Sequence, residues 1–481
     1  MRKRIYLLME TKKRELDARC YFAIKSCLKN YSVVLLKKDL FYRYKRHFRP
    51  GVVYLKSLGP NYFKELQKIK KLGFKVAVQD EEGLMYFDKN DYLARRIYPE
   101  NLRYVDYIFA WGNDDLQVLS QSFNGIKNKI HATGNSRIDI LKNPINKIYH
   151  DEAKKIKKIY GNFFLYNTMF TFYNHFHKSK KTKYNDLNNQ SEESKSYQSE
   201  EVNKKKIHVN NRNIQMEEFQ KKTMEKTIEF IEKFALRFPS EKLIIRPHPS
   251  ENHKIWMNIG EKFKNVITVC DDISTCAWTL ASNFSISSNC TTSVESFLLK
   301  KLNYNFRPVI DENVEFKLPK ICGINIETAD DLIKRVDNYL IGKSDEKTFN
   351  SDYELKSKQL ENKMFNIHPN ICSVESMIDR FNKDLDDKIN STVKKDANAN
   401  YFLFFIYYFM AKAKFIKMKI SAIFNKEIKE NIDFAVQKFP GLNEKELRQK
   451  ISFLCDKMNL KEKIEVKEIY PGCFLIENMK F

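Results

Sequence analysis

Short apolar runs recur along the first 150 positions, separated by stretches in which apolar residues return every three or four places. The runs at 5–9, 32–36, 52–55, 74–78, 107–110 and 129–133 read as strands, and helical spacing fills 14–29, 62–71 and the stretch after Asn113. Strands that are apolar throughout, joined through amphipathic helices, belong to a parallel sheet covered on both faces. The pattern restarts after Pro144. Strands are predicted at 163–166, 242–245, 266–269 and 283–287, and helices at 216–238, 251–263, 275–281 and 292–299.

Two consecutive α/β units of this size are the anatomy of the GT-B fold: two Rossmann-type domains facing a cleft at the carboxyl ends of their strands. The expected division is a first domain over 1–145, for the acceptor, and a second over 155–330, for a nucleotide-activated donor. The tract 178–213 is polar without an apolar period and is expected to be a mobile insertion in the second domain. A helical extension over 331–430 and a small module over 431–481, with one strand-like run at 464–469, complete the chain.

Composition narrows the class. Lys+Arg number 85 against 61 Asp+Glu, a formal net charge of +24. Such an excess favours polyanions: nucleotide phosphates, anionic lipid surfaces or nucleic acid. A proteome rich in Lys, Asn and Ile would produce the same excess. Nucleic acid is the least supported partner, because no RNP, zinc-finger or helix-turn-helix signature accompanies the charge. The nine cysteines form no Cys-x-x-Cys pair and several sit in apolar runs, which points to reduced thiols in the cytoplasm rather than a disulfide scaffold or zinc ribbon. The apolar run near the N-terminus is too short for a signal-peptide core, and the longest one, 401–411, falls short of the ~20 residues that span a bilayer.

Four clusters carry candidate chemistry. Asp80-Glu81-Glu82-Gly83 follows the strand at 74–78. Crowded like charges raise at least one carboxyl pKa, which suits a general base; a solvated acidic turn is the plainer alternative. Arg246-Pro247-His248-Pro249-Ser250-Glu251 follows the strand at 242–245. Its prolines stiffen the turn, so His248 could grip a phosphate or protonate a leaving phosphate oxygen, and Arg246 could neutralise charge or be a structural strand-end arginine. Ser287 to Glu295, SSNCTTSVE, joins a strand to a helix. Ser288, Asn289, Thr291, Thr292 and Ser293 offer hydroxyls and backbone N–H groups to phosphate, with plain N-capping as the alternative. Glu295 could hold a ribose hydroxyl or complete a capping box. Gly134 and Asn135, in Thr133-Gly134-Asn135-Ser136-Arg137-Ile138-Asp139, sit beside the expected interdomain connection and read as a hinge.

With these strings on view (ME-TKKREL, DEEGL, FAWG, TGNSRID, RPHPSEN and NCTTSVESFLL), residues 1–310 resemble the bacterial surface carbohydrate biosynthesis proteins. More distantly, the order acidic-acidic-Gly, His-Pro, paired hydroxyls is similar to bacterial sialyltransferases that use CMP-activated sugars. The TGNSRID and His-Pro-to-TTSVE layout is also similar to CDP-glycerol polyol-phosphate transferases and to UDP-sugar 2-epimerases. The resemblance implies Glu81 as base, with Asp80 or Glu82 in its place as alternatives. It implies His248 as phosphate ligand or acid, Pro249 beside it, and Thr291 with Thr292 as phosphate ligands. The chain departs from the pattern where a Gly-x-Pro loop would be usual and Lys300-Lys301-Leu302-Asn303 stands instead.

The resulting expectation is a transferase moving a sugar from a nucleotide donor, CMP-linked in the first instance, onto a surface polysaccharide or lipid-linked acceptor. It needs no cofactor beyond that co-substrate, and no metal, since no Asp-x-Asp follows a strand of the catalytic region. Polyol-phosphate transfer and sugar epimerisation are the enzyme alternatives; a basic nucleic-acid-binding protein or an inactive scaffold is the non-enzyme one. For 401–426, apolar and then lysine-rich, two readings stand open. It is either a helix at an anionic membrane surface, on the inner face of the cytoplasmic membrane, or a helix packed back on the first domain.

Overall fold

The computed structural model describes residues 2–59, 62–177, 200–271, 273–385 and 401–479. Its chain divides into two compact units, one of residues 1–84, 96–148 and 359–481, the other of 85–95 and 149–358.

The first unit holds an eight-stranded sheet. Its parallel part is β1 (Lys3–Met9), β2 (Tyr31–Lys37), β3 (Val52–Leu55), β4 (Lys75–Val78), β5 (Tyr107–Ala110) and β6 (Ile130–Ala132), in the order β2-β1-β3-β4-β5-β6. Almost every residue of β1, β2 and β3 is buried, as expected of parallel strands covered on both faces. The strand order reverses between β1 and β3, which places this sheet's topological switch point at their carboxyl ends.

The C-terminal residues extend this sheet. β13 (Ile464–Tyr470) and β14 (Cys473–Asn478) form an antiparallel hairpin through Pro471 and Gly472, the glycine at φ +73°. β14 pairs antiparallel with β2, Cys473 opposite Leu36. Residues expected as a separate C-terminal module are thus part of the first sheet, and 331–358, expected in a helical extension, belong to the second unit.

The second unit holds six parallel strands: β7 (Phe164–Asn167), β8 (Leu243–Arg246), β9 (Val266–Thr268), β10 (Ser285–Ser287), β11 (Asn303–Phe306) and β12 (Ile324–Ile326). Their spatial order is β9-β8-β7-β10-β11-β12. This is the Rossmann arrangement, third-second-first-fourth-fifth-sixth, with its switch point between β7 and β10.

Of the tract expected to be a mobile insertion, 178–199 lies outside the described residues, whereas 200–213 is the first part of a helix, Glu200–Arg237. Tertiary contacts hold this polar segment in place. The Arg212 guanidinium lies 5.2 Å over the Phe87 ring and 2.9 Å from Asp88 Oδ2. Phe87 in turn stacks on Phe316, at 4.5 Å, above the buried Met216, Phe219 and Val314. Among the described residues no helix is long and apolar enough to cross a membrane.

Candidate functional site

At the switch point of the second unit, three loops leave the carboxyl ends of neighbouring strands β7, β8 and β10. The side chain that ties the first two together is Glu251, fully buried. Its Oε1 accepts from Thr168 Oγ1 (2.7 Å), the Phe170 N–H (3.0 Å) and the His248 N–H (3.3 Å). Its Oε2 accepts from Trp256 Nε1 (3.0 Å) and Asn174 Nδ2 (3.4 Å). Burial pushes the Glu251 carboxyl upward, and these donors work against the shift. His248 Nδ1 accepts from the Ser250 N–H at 3.1 Å, which fixes the neutral imidazole as the Nε2–H tautomer. His253 Nε2 lies 3.1 Å from the His248 carbonyl.

The third loop joins β10 to the helix Thr292–Leu298. The Tyr166 hydroxyl, at the end of β7, bonds Ser288 Oγ (2.7 Å) and Thr227 Oγ1 (2.9 Å), so the β7 and β10 ends are locked together. Asn289 takes φ +49°; its Oδ1 accepts from the Phe316 N–H and its Nδ2 donates to the Val314 carbonyl. Ser293 Oγ pairs with Ser287 Oγ at 2.8 Å inside the core. Thr291 is the N-cap residue, yet its hydroxyl makes no capping bond, so Thr291 is not a plain N-cap. Glu295 sits half-buried in the first turn of that helix. Asn167 Nδ2, at the last residue of β7, is buried at this switch point and makes no hydrogen bond, while the hydroxyls of Thr291 and Thr292 lie beside the buried Cys290 thiol.

Arg246 is committed elsewhere. Its guanidinium donates to Thr275 Oγ1 (3.0 Å) and the Ile273 carbonyl (2.8 Å), meets Asp271 Oδ1 at 3.4 Å and lies over the Trp278 ring. The structural alternative therefore holds for Arg246, which pins the loop before the helix Thr275–Ala281, and Asn289 and Ser293 likewise serve internal bonds. The structure brings His248, Pro249, Ser288, Thr291 and Thr292 to one strand edge.

The acidic turn belongs to the first unit and lies at the ends of β1, β3 and β4. Glu81, 5% exposed, forms an ion pair with Arg19 at 2.8 Å, the arginine side chain being 2% exposed. The Arg19 guanidinium also lies 4.6 Å from the Tyr54 ring centre. Glu81 Oε2 accepts no hydrogen bond, with Arg137 Nη1 at 4.0 Å. Arg14 reaches Glu82 Oε1 at 2.7 Å and the Glu81 carbonyl at 3.1 Å. Asp80 is gripped by two nitrogens of Arg96, and its carbonyl accepts from Trp111 Nε1 at 2.7 Å. Lys56 meets Glu10 at 2.6 Å and Glu15 at 3.5 Å.

Crowding is expected to raise at least one carboxyl of this turn; Asp80 is the one raised, mainly by burial, whereas Glu81, which the resemblance implies as base, is lowered. Burial alone would raise its pKa, but Arg19, Arg137, Arg14 and Lys56 outweigh it and hold the carboxyl below its ordinary value. For Glu82 the same contest, won mainly by Arg14, ends at about 2. Asp80 alone is pushed up, by burial, against the pull of Arg96. The arginines were not legible as partners, because Arg19 and Glu81 stand 62 positions apart.

Gly134 and Asn135 are fixed inside the first unit. Gly134 takes φ +74° and its carbonyl accepts from Gln79 Nε2 at 2.6 Å. Asn135, fully buried, caps the helix Ser136–Asp139 and exchanges bonds with Asn366. Both positions, expected at a hinge, are packed and hydrogen-bonded within the first unit. Among the described residues no group of three or more His, Cys, Asp or Glu could hold a metal ion, and none of the nine cysteines is in a disulfide.

No protein-family model and no curated protein matches the chain. Among solved structures it is similar to the wall teichoic acid polymerase TagF, in its H548A form, at 12% identity and a TM-score of 0.51 over 81% of this chain and 90% of that one. A UDP-GlcNAc 2-epimerase of Methanocaldococcus jannaschii, in complex with UDP-GlcNAc and UDP, gives 14% identity and a TM-score of 0.43 over 80% and 100%. A putative UDP-N-acetylglucosamine 2-epimerase from Listeria monocytogenes gives 11% and 0.47 over 80% and 97%. The class is thereby defined at the level of fold: α/β, GT-B-like, two parallel-sheet Rossmann-type units with a helical C-terminal region.

Proposed function

We propose that the chain is a GT-B transferase of bacterial surface-carbohydrate assembly, taking a sugar or a polyol phosphate from a nucleotide-activated donor at the switch point of the second unit. One observation carries the reading. Asn167 Nδ2 is buried without a hydrogen bond at that strand edge, where β7 neighbours the strand whose loop carries Thr291 and Thr292. An unpaired buried polar atom costs ~1–3 kcal/mol, a cost that a polar ligand would remove. The GT-B-like fold shared with a wall teichoic acid polymerase agrees with it.

In this reading His248 donates from Nε2 to the leaving phosphate, and Glu251 holds the turn that aims it. The hydroxyls of Thr291 and Thr292 take the phosphate oxygens, and no protein-bound cofactor is needed. Asp80, Glu81 and Glu82 shape the first unit's strand edge as charge partners of Arg96, Arg19 and Arg14 rather than as a neutral-pH base. A CMP-linked donor rests on the order of the sequence motifs alone, and CDP- and UDP-linked donors stand on the same footing.

Calorimetric titration with CMP-, CDP-, UDP- and GDP-linked donors tests the site. Charge-assisted hydrogen bonds of this kind are worth ~1.5–3 kcal/mol. The His248→Ala variant and a Thr291→Ala, Thr292→Ala double variant should each weaken the preferred donor roughly ten- to hundredfold. Unchanged affinity in both folded variants places the nucleotide elsewhere.

A further inference from the structure

The helix Tyr401–Phe424 is the most exposed apolar element of the first unit. It carries four lysines, Lys412, Lys414, Lys417 and Lys419, and no acidic residue. Phe409 is 65% exposed, Ile416 56%, Ile420 54%, Ile423 76% and Phe424 85%. A helix left bare in this way is not closing the core of its own unit. Its contact with the unit is local. The Tyr407 hydroxyl meets His47 Nε2 at 2.6 Å, and the Tyr407 ring packs edge-on against Tyr44 at 5.1 Å. Beyond that point both the apolar and the cationic side chains face outward. Lys412 and Lys419 fold over Tyr408 and Phe415 at 4.5 and 4.9 Å, which keeps their charges beside the exposed rings.

We propose that this helix is an interfacial element that lies flat on an anionic lipid bilayer and holds the first unit against it. Three observations select that occupant. At ~1.5 Å per residue, 24 residues make a rod of about 36 Å, long enough to span, yet its lysines exclude spanning and suit the headgroup level. Apolar and cationic side chains without a single acid complement a surface that is apolar below and anionic above. A self-complementary helix pair would need acids to meet the lysines, and the helix offers none. The next helix, Lys426–Lys438, starts at the cap residue Asn425 and ends at Phe439, whose ring lies 5.8 Å from Lys37 Nζ at the end of β2. The proposed lipid-facing element is thus connected, through the helix Lys426–Lys438, to the carboxyl end of β2, on the edge where an acceptor anchored in the bilayer would be presented.

The test is flotation of the full chain with vesicles of phosphatidylcholine alone and of phosphatidylcholine with about a third phosphatidylglycerol. Wild type should float with the anionic vesicles only. Binding should fall about tenfold or more when salt is raised from roughly 0.1 to 0.5 M. Two variants separate the contributions. One combines F409S, I416S, I420S and F424S; the other combines K412E, K414E, K417E and K419E. All the changed side chains are exposed. Both variants should keep the wild-type melting temperature and lose flotation. Equal flotation by either variant, or no flotation by wild type, overturns the proposal. So does a wild-type dimer in light scattering that becomes monomeric in the serine variant without any vesicle binding.

Discussion

Replacing Glu81 by Gln separates a structural ion pair from a catalytic base. The substitution keeps the shape of the side chain and removes its charge. Arg19 then stays 2% exposed with only the Tyr54 ring and a neutral amide beside it, while Arg14, Arg137 and Lys56 lose the anion they share. Leaving one partner of a buried pair uncompensated costs ~3–5 kcal/mol. The amide oxygen still accepts one bond, so the lower end, about 3 kcal/mol, is the expected loss. For a unit of this size that is roughly 6–12 °C in melting temperature. Differential scanning fluorimetry and urea unfolding of wild type, Glu81→Gln and a Glu81→Leu, Arg19→Met double variant measure it. The double variant should recover most of the loss, because an apolar pair of similar volume replaces the ions. If Glu81→Gln melts within about 1 °C of wild type while transfer is abolished, Glu81 is a reacting group and the structural assignment is wrong.

Acid sensitivity follows from the same turn. Glu82 is held at about 2 against an ordinary 4.5: burial opposes the shift, and Arg14 with its hydrogen bond outweighs it, although the side chain is 45% exposed, so solvent screens the pair and its share of the stability is small. A carboxylate depressed on folding contributes stability that is whole above the unfolded value and is lost as pH falls through the folded one. Stability should therefore decline between about pH 4.5 and 2, less steeply in Glu82→Gln, as followed by acid titration of circular dichroism. Gly134→Ala sets a methyl against the Asn366 side chain at a φ of +74°; the backbone term alone is ~1–2 kcal/mol, and the fall in stability read by urea unfolding should exceed it. Glu251→Gln would turn an amide N–H₂ toward the Trp256 or the Thr168 donors. The expected loss is ~1–3 kcal/mol, with weaker donor binding because the His248 turn is released, read by unfolding and by calorimetry.

The parallel strands were legible because burial on both faces leaves uninterrupted apolar runs, as in β1, β2 and β8. β11 was not. Its Asn303 and Asn305 are buried but satisfied by side-chain bonds to Ser285 and Asn325, so a core strand carries a polar sequence. The hairpin β13–β14 showed only its first strand, since its second is defined by pairing with β2, more than four hundred residues away. Arg212, in the helix that begins at Glu200, meets Phe87 and Asp88, again a long-range contact. Candidate residues were found where a strand-end motif is local, as at His248. Their partners, Glu251 excepted, were invisible: Tyr166 and Thr168 for the donor loops, Arg14, Arg19 and Arg96 for the acidic turn.

Mass spectrometry of reactions containing CMP-, CDP-, UDP- or GDP-linked donors and bacterial membrane glycolipid tests the proposed group transfer from a nucleotide-activated donor at the second unit's switch point. Wild type should release the nucleotide of one donor class and yield a glycolipid heavier by the transferred group, with His248→Ala reduced by a hundredfold or more. Intact donors in every reaction of the folded wild-type protein, or full turnover by His248→Ala, would contradict it.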